Sequence, residues 1–154
     1  MATINNLFPV FNVPSEMAED QVPTQIYNPA PLWDYERGDF ILNGMRQPLY
    51  GTGYDAWILW CIKIIMTQRW AHLGYSSNAG IEAVQAFAEI DRRAAESALE
   101  RTISEALLAD PMGRTTQVRN FRFLWKDGGE GLLIECDVLG ADGNTAAITA
   151  PIYR

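Results

Sequence analysis

Apolar and polar residues follow two different rhythms along this chain. Between residues 54 and 109 the apolar positions recur every three or four residues, and between 120 and 153 they alternate one by one. The first rhythm predicts helices and the second predicts strands. In residues 57–66, Trp57, Cys61, Ile64 and Ile65 fall at helical spacing, as do Ile58, Ile62 and Ile65. A helix that is apolar on most of its faces belongs at the centre of a core. It is expected to start near Tyr54 and Asp55 and to run to residues 69–73, with Gly74 just past its end. Ser76, Ser77 and Asn78 offer N-caps for a short amphipathic helix over about 79–89. Asp91 can cap a third helix over 92–109, whose stripe is Ala95, Leu99, Ile103, Ala106 and Leu107, with Pro111 beyond its end. Glu96, Glu100 and Glu105 lie beside Arg92, Arg93 and Arg101, the pattern of a solvated face.

The period-two segment predicts a meander. Phe121, Phe123 and Trp125 share one face, with Asn120, Arg122 and Leu124 on the other. Gly128-Gly129 turns the chain, and Leu132, Ile134, Cys136 and Val138 form the next apolar face, opposed by Glu135 and Asp137. After a turn at Ala141-Asp142-Gly143-Asn144, the closing strand over 145–153 sets Ala146, Ile148, Ala150 and Ile152 to one side. Earlier in the chain, residues 33–42 read as strand, turn and strand about Arg37-Gly38-Asp39, and Asn43-Gly44 turns again before residues 47–50. The expectation is an α+β fold: two or three helices on a small antiparallel sheet that ends in a three-stranded meander.

The first thirty residues break both rhythms. Six of the eight prolines precede residue 50, and prolines fix φ and remove donors, so residues 1–30 form neither a regular helix nor a central strand. They read as an extended arm carrying Leu7, Phe8, Val10, Phe11 and Val13, poised to dock in cis or on a partner. Residues 31–154 make a single domain. A chain of 154 residues buries enough surface for a core without a metal or disulfide staple.

Charge changes the picture by exclusion. The chain carries 19 acidic and 12 basic residues, a net charge of −7, which argues against a nucleic-acid or anionic-membrane partner. The first fifty residues hold six acids against two arginines, whereas residues 111–154 hold five of each sign. Ten of the twelve basic residues are arginines, the side chain suited to planar pairing at interfaces. The N-terminus lacks the basic and apolar regions of a secretory signal, and the stretch over 57–66 is too short to span a bilayer, so a soluble protein made in a reducing cytoplasm is expected.

Candidate chemistry is sparse. Cys61 and Cys136 lie far apart in apolar runs and read as buried free thiols. The single histidine, His72, has no nucleophile or ligand at a useful spacing, and Gly51-Thr52-Gly53 lacks the remaining elements of a nucleotide loop. No metal and no cofactor is expected. Glu100 with Glu105, or Glu135 with Asp137, could be proposed as a glycosidase's carboxylate pair, but the first two point to different helix faces and the second two lie opposite their strand's apolar side and read as solvated. The closing strand is more informative. No charged side chain stands between Asp142 and Arg154, and only Pro151 interrupts the run. It is either an interior strand or a free edge that accepts a strand from another chain.

The ordered set Gly38-Asp39-Phe40-Ile41-Leu42, Gly53-Tyr54-Asp55-Ala56, the apolar run 57–66, Thr67-Gln68-Arg69, Tyr75-Ser76-Ser77-Asn78-Ala79-Gly80 and residues 99–107 leading into Asp110-Pro111 resembles a known family. It is that of the baseplate sheath initiators of contractile phage tails, also labelled "lysozyme-like" wedge proteins, in the branch found in PBSX-type prophages and phage-tail-like bacteriocins. The resemblance implies a non-enzymatic baseplate component in six copies, bound to wedge proteins and to the tail sheath, in a virion or phage-tail-like particle. It implies that the closing strand, here with Thr145, Ile148, Thr149, Ile152 and Tyr153, starts sheath assembly by strand addition. The family's Glu-Pro-Arg motif for wedge docking falls on Asp110, Pro111 and Arg114, with Asp for Glu and Met112-Gly113 inserted before the arginine. The arm residues Leu7, Phe8, Val10 and Phe11 would grip a neighbouring baseplate, tube or hub protein. The alternatives are a cell-wall hydrolase of the tail, as the family's older label suggests, and a stand-alone adaptor domain.

Overall fold

The computed structural model describes residues 28–35, 37–126 and 131–153. A two-stranded hairpin, β1 (Trp33–Asp34) and β2 (Asp39–Phe40), opens the described chain. Two isolated bridges, Leu42 to Pro48 and Pro31 to Tyr50, extend it into a small ribbon. Then come helix α1 (Gly53–Ile65), a short helix α2 (Ala83–Phe87) and the long helix α3 (Arg92–Leu108). Strands β3 (Thr115–Trp125), β4 (Gly131–Gly140) and β5 (Thr145–Tyr153) form an antiparallel sheet in the order β3-β4-β5. The architecture is α+β, as the pattern of the sequence predicts.

Each helix begins where its residues can satisfy free backbone donors. Thr52 and Asp55 close a capping box at the start of α1, the hydroxyl accepting from Asp55 N at 3.2 Å and the carboxylate accepting from Thr52 N at 2.8 Å. Asp91 accepts from Ala94 N at 2.8 Å at the start of α3. The stripe expected on α3 is the one buried, with Leu99, Ile103 and Leu107 fully enclosed. Opposite it lie Leu132, Ile134, Cys136 and Val138 of β4 and Ile148 and Ile152 of β5, with Trp57, Cys61 and Ile65 of α1 between. Each such side chain contributes roughly 1.5–3 kcal/mol by leaving water.

Two helical expectations fail in the same place. α1 stops at Ile65, well before residues 69–73, and Gly74 plays no part in ending it. Thr67 is the physical reason: its hydroxyl donates to Lys63 O at 2.6 Å, drawing the chain out of the helical ladder. Gln68 then pairs in parallel with Ile81, with Arg69 N donating to Ile81 O at 2.8 Å and Ile81 N donating to Thr67 O at 2.9 Å. Those bonds hold Ile81 extended, so the second helix cannot start at residue 79. It begins at Ala83, after Glu82 and without a side-chain cap, and Ser76, Ser77 and Asn78 cap nothing.

The meander is longer than its alternation suggests. β3 begins at Thr115 and passes through a bulge between Arg119 and Arg122, where Asn120 takes a φ of 57°. Asn120 Nδ2 donates to Asp137 Oδ2 at 2.7 Å across the bulge, which fixes that geometry. The turn expected at Gly128-Gly129 lies outside the described residues. β4 and β5 pair in unbroken register from Gly131 and Tyr153 to Leu139 and Thr145, and the order β3-β4-β5 makes β5 an outer strand of this sheet, as β3 is on the other side.

Candidate assembly interface

The turn after α3 is built around one buried ion pair. Pro111 cannot continue the helix, and Gly113 takes a φ of 62° while its N–H donates to Asp110 O at 2.9 Å. The chain thereby folds back, and Arg114 meets Asp110 through two parallel bonds, Nε to Oδ2 at 2.7 Å and Nη2 to Oδ1 at 3.1 Å. Arg114 N and Met112 N also donate to the carboxylate, at 3.0 and 3.1 Å. The guanidinium lies over the Trp60 ring, 5.2 Å from its centroid. The inserted Met112-Gly113 pair is therefore what lets Arg114 reach Asp110. The acid and the guanidinium hold each other inside the chain, and Pro111 and Met112 are what the turn exposes.

β5 separates its residues by parity. Ile148 and Ile152 point into the core, while Thr145, Thr149 and Tyr153 are exposed on the opposite face of the sheet. Lys126 Nζ sits 4.9 Å from the Tyr153 ring centroid, and Arg122 Nε lies 3.6 Å from Glu135 Oε2 in the row that includes Thr149. A proline in a sheet must direct its missing N–H away from a partner, which suits Pro151 on an outer strand. Tyr54 Oη donates to Thr145 O at 3.3 Å and ties the start of β5 to α1. The arm residues Leu7, Phe8, Val10 and Phe11 lie outside the described residues.

Sequence reasoning missed a groove of about 820 Å³ between the hairpin, α1 and the 110–114 turn. Trp33 and Phe40 line it from the hairpin, Leu59, Trp60 and Lys63 from α1, and Pro111 and Met112 from the turn. Trp33 and Phe40 meet edge to face at 4.9 Å. The signal was present in the all-round apolarity of α1. Trp57, Cys61 and Ile64 serve the core, whereas Ala56, Leu59, Trp60 and Lys63 make a second stripe along the groove. Tyr35 fastens the hairpin to this helix, its hydroxyl donating to Leu59 O at 2.8 Å. Burial, with the Cys61 thiol adding to it, pushes that phenol up to about 12.

Arg69 is the second residue that the pattern hid. Its guanidinium is buried and donates to Gly80 O at 3.0 Å, to Glu82 at 2.9 Å and to Glu105 at 3.5 Å. It pins the loop between α1 and α2 onto α3, a role that helical periodicity cannot announce.

Cys61 and Cys136 are buried free thiols, as expected, each pushed up to about 12 chiefly by burial. His72 is exposed and packs on the Tyr75 ring at 5.0 Å. Glu105 is engaged by Arg69 and Arg101, Asp137 by Asn120, and neither Glu100 nor Glu135 lines the groove. Among the described residues no group of three or more histidine, cysteine or acidic side chains is arranged to hold a metal ion, and no helix is long and apolar enough to cross a membrane.

The family model of the contractile injection system sheath initiator matches residues 31–143, from the hairpin to the turn before β5. Comparison with curated proteins finds no significant match.

Proposed function

The chain belongs to the contractile injection system sheath initiator family, and on that premise we propose that β5 receives the first strand of the tail sheath. The family makes it a structural component of a contractile tail, located in the baseplate, with sheath and baseplate components as its neighbours. The finer reading concerns how it joins them. A sheath arm adds to the free side of β5 and extends the β3-β4-β5 sheet, and the next subunits follow the template so formed. The body, presenting Pro111 and Met112 of the 110–114 turn, meets the wedge. Six copies would ring the tail tube and pass its symmetry to the sheath.

One observation supports this most: β5 is a nine-residue outer strand with no charged side chain between Asp142 and Arg154. Natural edge strands are usually blunted by lysine, by bulges or by a covering element. Here the register from Gly131 to Leu139 keeps β5 straight, and the bulge falls on β3 at the far side. Strand addition takes its affinity from main-chain hydrogen bonds, so the buried side chains of Ile148 and Ile152 need not touch the partner. They hold β5 in place while Thr145, Thr149 and Tyr153 line the rim of the added strand.

Particles carrying Thr149→Lys, or lacking residues 151–154, test the reading. Electron microscopy should show complete baseplates and tubes with no sheath polymerised on them. Sheaths of normal length and frequency on either variant would overturn it. The urea midpoint of the isolated Thr149→Lys chain should stay close to that of the parent, because the exposed face of β5 bears no core contact.

A further inference from the structure

The groove beside α1 has an occupant within reach in the same chain. We propose that residues 7–13 fold back and fill the groove between the hairpin, α1 and the 110–114 turn. The proposal is independent of strand addition at β5, since no residue of β5 lines the groove.

Three observations carry it. The first is where the described chain starts: Asn28, Pro29 and Ala30 themselves line the groove, so residue 27 is joined to the chain at its rim. Fourteen residues, 14–27, separate that rim from the apolar segment. Extended chain covers about 3.3–3.6 Å per residue, so they reach about 45–50 Å. The stripe from Ala56 to Lys63 is only about 10 Å long at 1.5 Å rise per residue. A return path is therefore available with slack to spare.

The second is chemical fit. The groove walls are aromatic and aliphatic, with Trp33, Phe40 and Trp60 flanked by Leu59 and Met112. Residues 7–13 read Leu-Phe-Pro-Val-Phe-Asn-Val, with Pro14 after them. Proline-containing extended segments favour aromatic-lined grooves, because the fixed φ angles lower the ordering entropy lost on docking. The third is charge. Residues 1–27 carry Glu16, Glu19 and Asp20 and no lysine or arginine. The groove rim carries Lys63, exposed and without an ion pair among the described residues. An acidic linker crossing that rim meets its counter-charge.

The full chain carrying Met112→Cys tests this by the rate of maleimide labelling. Cys61 and Cys136 are buried and stay silent in the folded protein. Labelling at position 112 should be at least about tenfold slower than in the same variant lacking residues 1–15, the factor that about nine-tenths occupancy gives. Phe8→Ser with Phe11→Ser should restore the fast rate while keeping the chain length. Adding a peptide of residues 1–15 to the truncated chain should slow it again. Equal rates with and without the arm would overturn the proposal. Protection that grows with protein concentration would also overturn it, by assigning the groove to the arm of a second copy.

Discussion

The ribbon over residues 31–50 and the β3-β4-β5 sheet are both antiparallel and rich in apolar side chains, yet they spend them differently. In the sheet, alternate positions disappear completely: Leu132 is 0% exposed and Ile148 1%. In the ribbon, Phe40 remains 44% exposed, Leu42 49% and Met45 78%. Strand length decides the difference. β3, β4 and β5 run for nine to eleven residues and present a full face to α1 and α3, whereas β1 and β2 pair over two residues each. So short a ribbon has little stability of its own and depends on ties to the body. The sheet stores the folding energy. The ribbon holds apolar surface where it can still be met by something else.

That contrast can be broken by substitution. Ile148→Ala, on the inner face of β5, should cost about 2–5 kcal/mol in urea unfolding, the range for a large apolar side chain deleted from a packed core. A loss below about 1 kcal/mol would mean that β5 is not fastened as its burial implies. Tyr35→Phe removes the hydrogen bond from the ribbon to Leu59 O and should cost about 0.5–1.5 kcal/mol. This residue also gives the comparison a pH dependence. Burial raises the Tyr35 phenol from 10.0 to about 12, so its share of stability is complete below pH 10 and is lost as pH rises through 12. Tyr35→Phe should flatten the alkaline fall in urea midpoint, and an unchanged fall would place its cause elsewhere. Met45→Ala, on the exposed ribbon, should stay within about 0.5 kcal/mol of the parent. A larger loss would show that the ribbon contributes to the core after all.

What the sequence made legible follows the same division. α3, its cap at Asp91 and the alternation of β4 and β5 could be read in advance, because one periodic face meets one core. The loop after α1 could not. Its path depends on Thr67 bonding back to Lys63 and on Arg69 reaching Gly80, Glu82 and Glu105, contacts with no local periodicity. The candidate site was legible in part. The bare character of β5 is visible in its composition, and its outer position required the pairing register. Asp110 and Arg114 stood out only through the family motif that they resemble, and their closure onto each other required Gly113 at a φ of 62° and the Trp60 ring. The groove was hidden because α1 serves two sides at once, and a helix apolar all round reads simply as central.

A bare edge strand is open to the wrong partner as readily as to the proposed one. Main-chain hydrogen bonds carry almost no sequence information, so β5 offers the same ladder to a sheath strand, to another copy of itself or to any unfolded segment. With no charge to repel intruders between Asp142 and Arg154, discrimination falls to Pro151, which withholds one donor from the ladder, and to the Thr145, Thr149 and Tyr153 side chains along the rim. The free subunit thus carries a self-association hazard that ends once the edge is capped. Opposing that hazard before assembly is the net negative charge of the first fifty residues, where six acids stand against two arginines.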